Sequence, residues 1–160
     1  NFSPESQHPA WVAPAAHGGT PTCHVLYETH DLMARWVQEH PQGLPPVVVN
    51  ITDGESQDGS PVEYALAIHG LATARGKTRM YNCFLSSDAG QSVLFPNRHA
   101  LPQHDVANTL FEMSTELPID LMHQARTAGF RASPGARGLA WDCDYGAFLQ
   151  FLALITRQAW

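Results

Sequence analysis

Pro46-Val47-Val48-Val49-Asn50-Ile51-Thr52-Asp53-Gly54-Glu55 is the stretch on which the fold turns. Its first half is a run of β-branched residues with no polar alternation. That is the signature of a strand covered on both faces, as in a parallel sheet. Its second half is polar and runs on through Ser56-Gln57-Asp58-Gly59-Ser60. Pro61, with its fixed φ and missing N–H, suits the first turn of a helix reaching about Ala74. Upstream, Thr22 is placed to cap a helix. Its apolar face is Val25, Leu26, Leu32, Met33, Trp36 and Val37 with Thr29, and Glu28, Asp31, Arg35 and Gln38 fall largely on the other side. Pro41 and Gly43 end it. Downstream, Arg79-Met80-Tyr81-Asn82-Cys83-Phe84-Leu85 reads as a second strand.

Helix, strand, helix and strand thus alternate, which predicts an α/β fold: a doubly wound, parallel, Rossmann-type sheet with helices on both faces. Ser92–Pro96 reads as a brief extended piece. Helical spacing returns at Val106, Leu110, Phe111 and Met113, and again at Leu121, Met122 and Ala125. Gly138–Trp141 reads as an edge strand and Tyr145 through Gln158 as a last apolar helix. Residues 1–17, with three prolines, read as an entry loop, and residues 1–160 as the C-terminal part of one domain.

Composition narrows the function. Of 160 residues 44% are hydrophobic and 15% charged, a globular balance. The net charge of -6, with nine scattered Lys and Arg, excludes nucleic acid as the main partner, because phosphate binding needs clustered cations. It suits a cation or a basic protein surface. No run of 18 apolar residues suggests a membrane span. Cys23, Cys83 and Cys143 are odd in number and widely spaced, which points away from zinc and from a disulfide framework and toward a reducing cytoplasm. Asn1-Phe2-Ser3-Pro4 is neither a signal peptide nor an initiator Met, so the chain is expected to begin inside a longer product.

The chemistry is expected at the end of the first strand. Ligands of open α/β sheets sit beyond the carboxyl ends of strands, where Asp53 stands, with Gly54 allowing a tight turn. Oxygen donors of this kind suit Mg²⁺, Ca²⁺ or Mn²⁺. An EF-hand is excluded: counting from Asp53, Asp58 stands where Gly is required and Tyr64 where Glu is required. Gly18-Gly19-Thr20-Pro21-Thr22 brings two hydroxyls to a helix start. It reads equally as a loop with a cap and as a Thr offered to a metal.

Competing sites are poorer. The nine histidines include no zinc spacing, and His24 and His30, six apart, do not share a helical face. Cys23 near a helix start, with His17 or His24 as base, sketches a nucleophile but matches no cysteine-hydrolase motif. Asp142 and Asp144 suit the cap of the last helix. The Trp residues are core candidates, except Trp160, which packs back or docks on a partner.

Read together, these segments resemble the von Willebrand factor A (VWA) domain, whose metal-ion-dependent adhesion site combines Asp-x-Ser-x-Ser, a Thr in a later loop, and an Asp often set in Thr-Asp-Gly. Gly18-Gly19-Thr20-Pro21 is similar to the second motif and Val49-Asn50-Ile51-Thr52-Asp53-Gly54 to the third. A bacterial, tellurite-resistance-type branch is similar also in Asn82-Cys83-Phe84-Leu85-Ser86-Ser87, Val93-Leu94-Phe95-Pro96, Leu110-Phe111-Glu112-Met113-Ser114 and Gly135-Ala136-Arg137-Gly138. The likeness runs over roughly residues 8–157 and covers the C-terminal half to two-thirds of such a domain.

The resemblance implies Thr20 and Asp53 as metal ligands, with Thr22, Gly54, Glu55 and Asp58 forming the rim that meets a partner. It implies Mg²⁺, or Mn²⁺ or Ca²⁺, bridging to a carboxylate of a protein partner, with no catalytic residue. It also implies a setting beside Ser/Thr kinases and PP2C-type phosphatases in signalling or stress response. The first motif is absent: Asp58-Gly59-Ser60-Pro61-Val62 is nearest but ends in Val62. Metal binding is therefore conditional on an Asp-x-Ser-x-Ser segment from the N-terminal half of the domain, carried as a separate segment or chain. A metal-free scaffold subunit and a metal-dependent hydrolase using Asp53 are the alternatives.

Overall fold

The computed structural model describes residues 18–85 and 92–156. The entry loop 1–17, Ser86-Ser87, the end of the last helix at 157–158 and Trp160 lie outside them.

Among the described residues five helices flank an open, mostly parallel sheet. Helix α1 spans Thr22–Glu39, strand β1 Val47–Thr52 and helix α2 Val62–Gly70. A two-residue hairpin follows, β2 (Ala72–Thr73) against β3 (Gly76–Lys77), before β4 at Arg79–Phe84. Then come β5 (Val93–Leu94), α3 (Asp105–Met113), α4 (Ile119–Thr127), β6 (Leu139–Trp141) and α5 (Tyr145–Thr156). The main sheet has the order β1-β4-β6-β5. β1 and β4 run parallel with Val47 opposite Arg79 and Thr52 opposite Phe84, and β6 adds parallel to β4. β5 closes the far edge antiparallel.

Alternation along β4 sorts the core into two layers. Tyr81 and Cys83 join Leu121, Ala125, Phe151 and Ile155, from α4 and α5, on one face. Met80 joins Leu26, Ala65, Ile68, Leu110 and Phe111, from α1, α2 and α3, on the other. Both faces are therefore covered, as expected of a doubly wound sheet. Each fully buried side chain of this size contributes about 1.5–3 kcal/mol relative to exposure.

One polar residue is central. Asn82 is fully buried, and its Nδ2 donates to Leu110 O at 3.3 Å and Ser114 Oγ at 2.9 Å. Its Oδ1 accepts from Asn50 Nδ2 at 3.0 Å. The network ties α3 through β4 to β1, and its groups are satisfied where an orphan would cost about 1–3 kcal/mol.

Four expectations are corrected. α2 stops at Gly70, not Ala74, because the chain turns into the hairpin, where Gly76 takes φ +145°, a conformation open to glycine. β6 is interior, lying between β4 and β5, not an edge. Among the described residues β1 is the edge: Val47 and Val49 pack on one core layer and Val48 on the other, yet none of its six residues is fully buried, and Ile51 is 49% exposed. Finally, α1 turns Cys23 and Leu26 inward, while Val25 (54% exposed) and Leu32 (55%) face outward.

Candidate functional site

The carboxyl end of β1 meets the start of α1. Pro21 ends the approach to the helix, and the Thr20 carbonyl accepts two backbone N–H groups, from Thr22 at 2.9 Å and Gln57 at 3.0 Å. One oxygen thus clamps the 18–22 segment to the loop after β1. That loop is folded by Thr52, whose Oγ1 donates to Gly54 O at 2.9 Å and accepts from Gly54 N at 3.3 Å. A methyl group placed on Gly54 would lie 3.3 Å from Thr20 Oγ1. The two segments singled out in the sequence therefore come together at one rim.

The role expected of Gly54 changes with this geometry. Gly54 is not among the residues with positive φ, so its turn does not require glycine. What glycine supplies is room for the Thr20 hydroxyl. Asp53 is exposed on the same turn, and Thr20 is half-buried.

Thr22 does not cap α1; it is the first helical residue, and Pro21 before it offers no side-chain acceptor. Asp58 caps the helix instead. Its Oδ1 accepts from Cys23 N at 3.0 Å, its Oδ2 from His24 N at 2.9 Å, and Ser56 Oγ donates to Oδ1 at 2.9 Å. Loss of water around Asp58 works to raise its pKa, but these hydrogen bonds outweigh it and hold the carboxyl below the usual carboxylate range. Both oxygens are engaged, so Asp58 is an organiser of the rim and is poorly placed to serve a partner.

Beside the rim lies a cleft of about 180 Å³, lined by Thr22, Thr52, Gly54, Glu55, Ser56 and Ser60 together with Asp105, Val106 and Thr109 of α3. Its polar lining is hydroxyl and carboxylate, with Glu55 and Asp105 supplying negative charge. Asp105 and Thr109 carried no sequence signal, because they reach the cleft from a helix about fifty residues downstream. Thr20 and Asp53 stand at the rim and are not part of this lining.

Thr20 and Asp53 offer oxygen donors, which match the preference of Mg²⁺ or Ca²⁺. Thr20 and Asp53 supply two donors, where Mg²⁺ takes six. Among the described residues no three His, Cys, Asp or Glu side chains converge on one point. A cation at this rim would be completed by water and by groups from another segment or chain.

The cysteine reading loses support here. Cys23 is buried, and burial pushes its thiol pKa up, the reverse of activation. Its Sγ lies 3.6 Å from Ser56 Oγ. At the far end of the sheet, Asp144 does cap α5, its Oδ1 accepting from Ala147 N at 2.7 Å, whereas Asp142 adopts a left-handed turn with φ +49°. No helix among the described residues is long and apolar enough to cross a membrane. No protein-family model, characterised protein or solved structure matches the chain.

Proposed function

We propose that this chain recognises a protein partner through a divalent cation held at the carboxyl end of β1, in the manner of the VWA adhesion site it resembles. The observation that carries the reading is the clamp at Thr20, which holds its segment against the Asp53–Gly54 turn with the Thr20 hydroxyl beside Gly54. Thr20 Oγ1 and the Asp53 carboxylate are the ligands, and Glu55 shapes the rim. Bound Mg²⁺ would supply an electrostatic bridge to a carboxylate of the partner. Thr20 and Asp53 orient that bridge, and no bond is made or broken.

The proposal includes a third ligand group, an Asp-x-Ser-x-Ser segment carried on a separate segment or chain. β1 offers it a place: β1 pairs with β4 alone among the described residues, so its outer edge is open to another strand. The wider setting is a bacterial kinase- or phosphatase-linked assembly in the cytoplasm. The open edge of β1 and the outward Val25 and Leu32 of α1 also favour a second reading, a metal-free scaffold that buries such surfaces against neighbouring subunits.

Isothermal titration with Mg²⁺ and Mn²⁺, on the wild-type chain and on Asp53→Ala, separates the readings. Binding by the wild type that is lost in Asp53→Ala supports the cation bridge. Absence of binding by either protein overturns a metal site on this chain alone and leaves the scaffold. Turnover of a phosphoester that disappears in Asp53→Ala replaces recognition with hydrolysis.

A further inference from the structure

Two cysteines sixty residues apart meet inside the core. Cys83 Sγ, on β4, lies 3.5 Å from Cys143 Sγ, two residues beyond the end of β6. Both are free thiols, and both belong to the core layer under α4 and α5. The backbone delivers them to one another. Cys83 is in register with Ala140, and the ladder runs one step past β6 through Asp142 N donating to Phe84 O at 3.0 Å. The left-handed turn at Asp142 then carries the chain out of the sheet into Cys143.

We propose that Cys83 and Cys143 are an oxidisable pair that closes to an intramolecular disulfide when the chain meets a hydroperoxide. Closure requires the sulfurs to approach to about 2.05 Å, a shift of about 1.5 Å shared between two side chains. Cys143 is the entry point: it is 7% exposed, where Cys83 is fully buried. With Cys83 as the donor of the S–H···S contact, the hydrogen bond favours a thiolate on Cys143 and holds the Cys83 thiol protonated. The Cys143 thiolate attacks one peroxide oxygen, which stays on sulfur as the sulfenic acid while the O–O bond breaks; the other oxygen of hydrogen peroxide leaves as hydroxide and takes up the proton released by the Cys143 thiol. Cys83 sulfur then attacks Cys143 sulfur. The S–O bond breaks, the S–S bond forms, and the Cys83 proton leaves with the hydroxyl as water. Two thiols lose two electrons, and the peroxide is reduced to two waters.

Cys23 is a built-in control. It sits in the rim with Ser56 and Asp58 as neighbours and has no second thiol beside it. The bridge would tie β4 covalently to the segment leading into α5, so oxidation should raise the thermal midpoint by limiting the unfolded chain.

The test is oxidation of the native chain with hydrogen peroxide, then denaturation, alkylation and peptide mapping. The expected result is an intact mass lower by two hydrogens, one alkylatable thiol, and a peptide joining Cys83 to Cys143. Cys23→Ser should form the same bridge and keep no alkylatable thiol, and Cys143→Ala should keep its Cys83 thiol. Three alkylatable thiols after peroxide, a bridge involving Cys23, or a bridge between two chains would each overturn the assignment. Mapping of the wild-type chain decides the matter even if Cys143→Ala fails to fold.

Discussion

Asp58 Oδ1 accepts the backbone N–H of Cys23 at 3.0 Å across a separation of 35 residues. The helix cap is therefore a tertiary contact, and it fastens the loop after β1 to α1. Asp58→Ala should lower the thermal midpoint by a few degrees and loosen the rim together with the helix start. The contact also has a pH signature. The folded-state pKa of Asp58 is depressed, so its contribution is full above the ordinary value of 3.8 and is lost as pH falls through the folded value. Thermal unfolding followed by circular dichroism at descending pH should show this loss in the wild type and a flatter profile in Asp58→Asn.

His69 should set a second acid sensitivity, at higher pH. Burial first, and Arg137 next, push its pKa below the ordinary 6.5, and its Nε2 stands 3.4 Å from Thr115 Oγ1. The unfolded chain then binds a proton that the folded chain resists. Stability is full above pH 6.5 and declines as pH falls toward the folded value. His69→Gln should remove that decline between near-neutral and mildly acidic pH. The same decline of stability with falling pH in His69→Gln, measured by denaturant unfolding at each pH, would refute the assignment.

Gly138 has no space for a side chain. A methyl group there would lie 2.1 Å from Tyr81 Cδ1, and the Tyr81 ring is held in the core edge-on to Phe151, with centroids 6.5 Å apart. Gly138→Ala should cost about 1–3 kcal/mol through overpacking, read as a lower denaturant midpoint with an unchanged slope.

Gly54 is a gentler case. An added methyl 3.3 Å from Thr20 Oγ1 would push the hydroxyl aside without straining the turn. Gly54→Ala should therefore change stability by no more than about 0.5 kcal/mol. It should weaken divalent-cation binding severalfold if Thr20 is a ligand. Equal affinities in calorimetry would remove Thr20 from the site.

The parts of this architecture visible in sequence are those encoded locally. The β-branched run at Val47–Ile51 and the apolar run from Met80 announce two strands of the sheet, and Pro61 announces α2. What escaped is set by distance in the chain. Thr22 has the composition of a cap, but a carboxylate 35 residues beyond Cys23 does the work. Val25 and Leu32 carry helical spacing, yet spacing does not reveal which side of a helix has a neighbour. Leu139-Ala140-Trp141 is too short to show whether one or both of its edges are paired. At the site, the Thr20 and Asp53 segments were legible because both sit beside glycines at element boundaries. Asp105, Thr109 and the Cys83–Cys143 contact were not, since nothing local distinguishes them.

The open side of β1 has a consequence for how the chain behaves in concentrated solution. Among the described residues no strand pairs with the outer edge of β1, and an edge of this kind, flanked by valines and by a half-exposed Ile51, is adhesive toward any extended backbone, including that of an identical molecule. Left uncovered, six residues make the monomer prone to stack strand on strand into larger particles. A single lysine at position 51 would act as a gatekeeper against that growth while leaving the pairing with β4 intact.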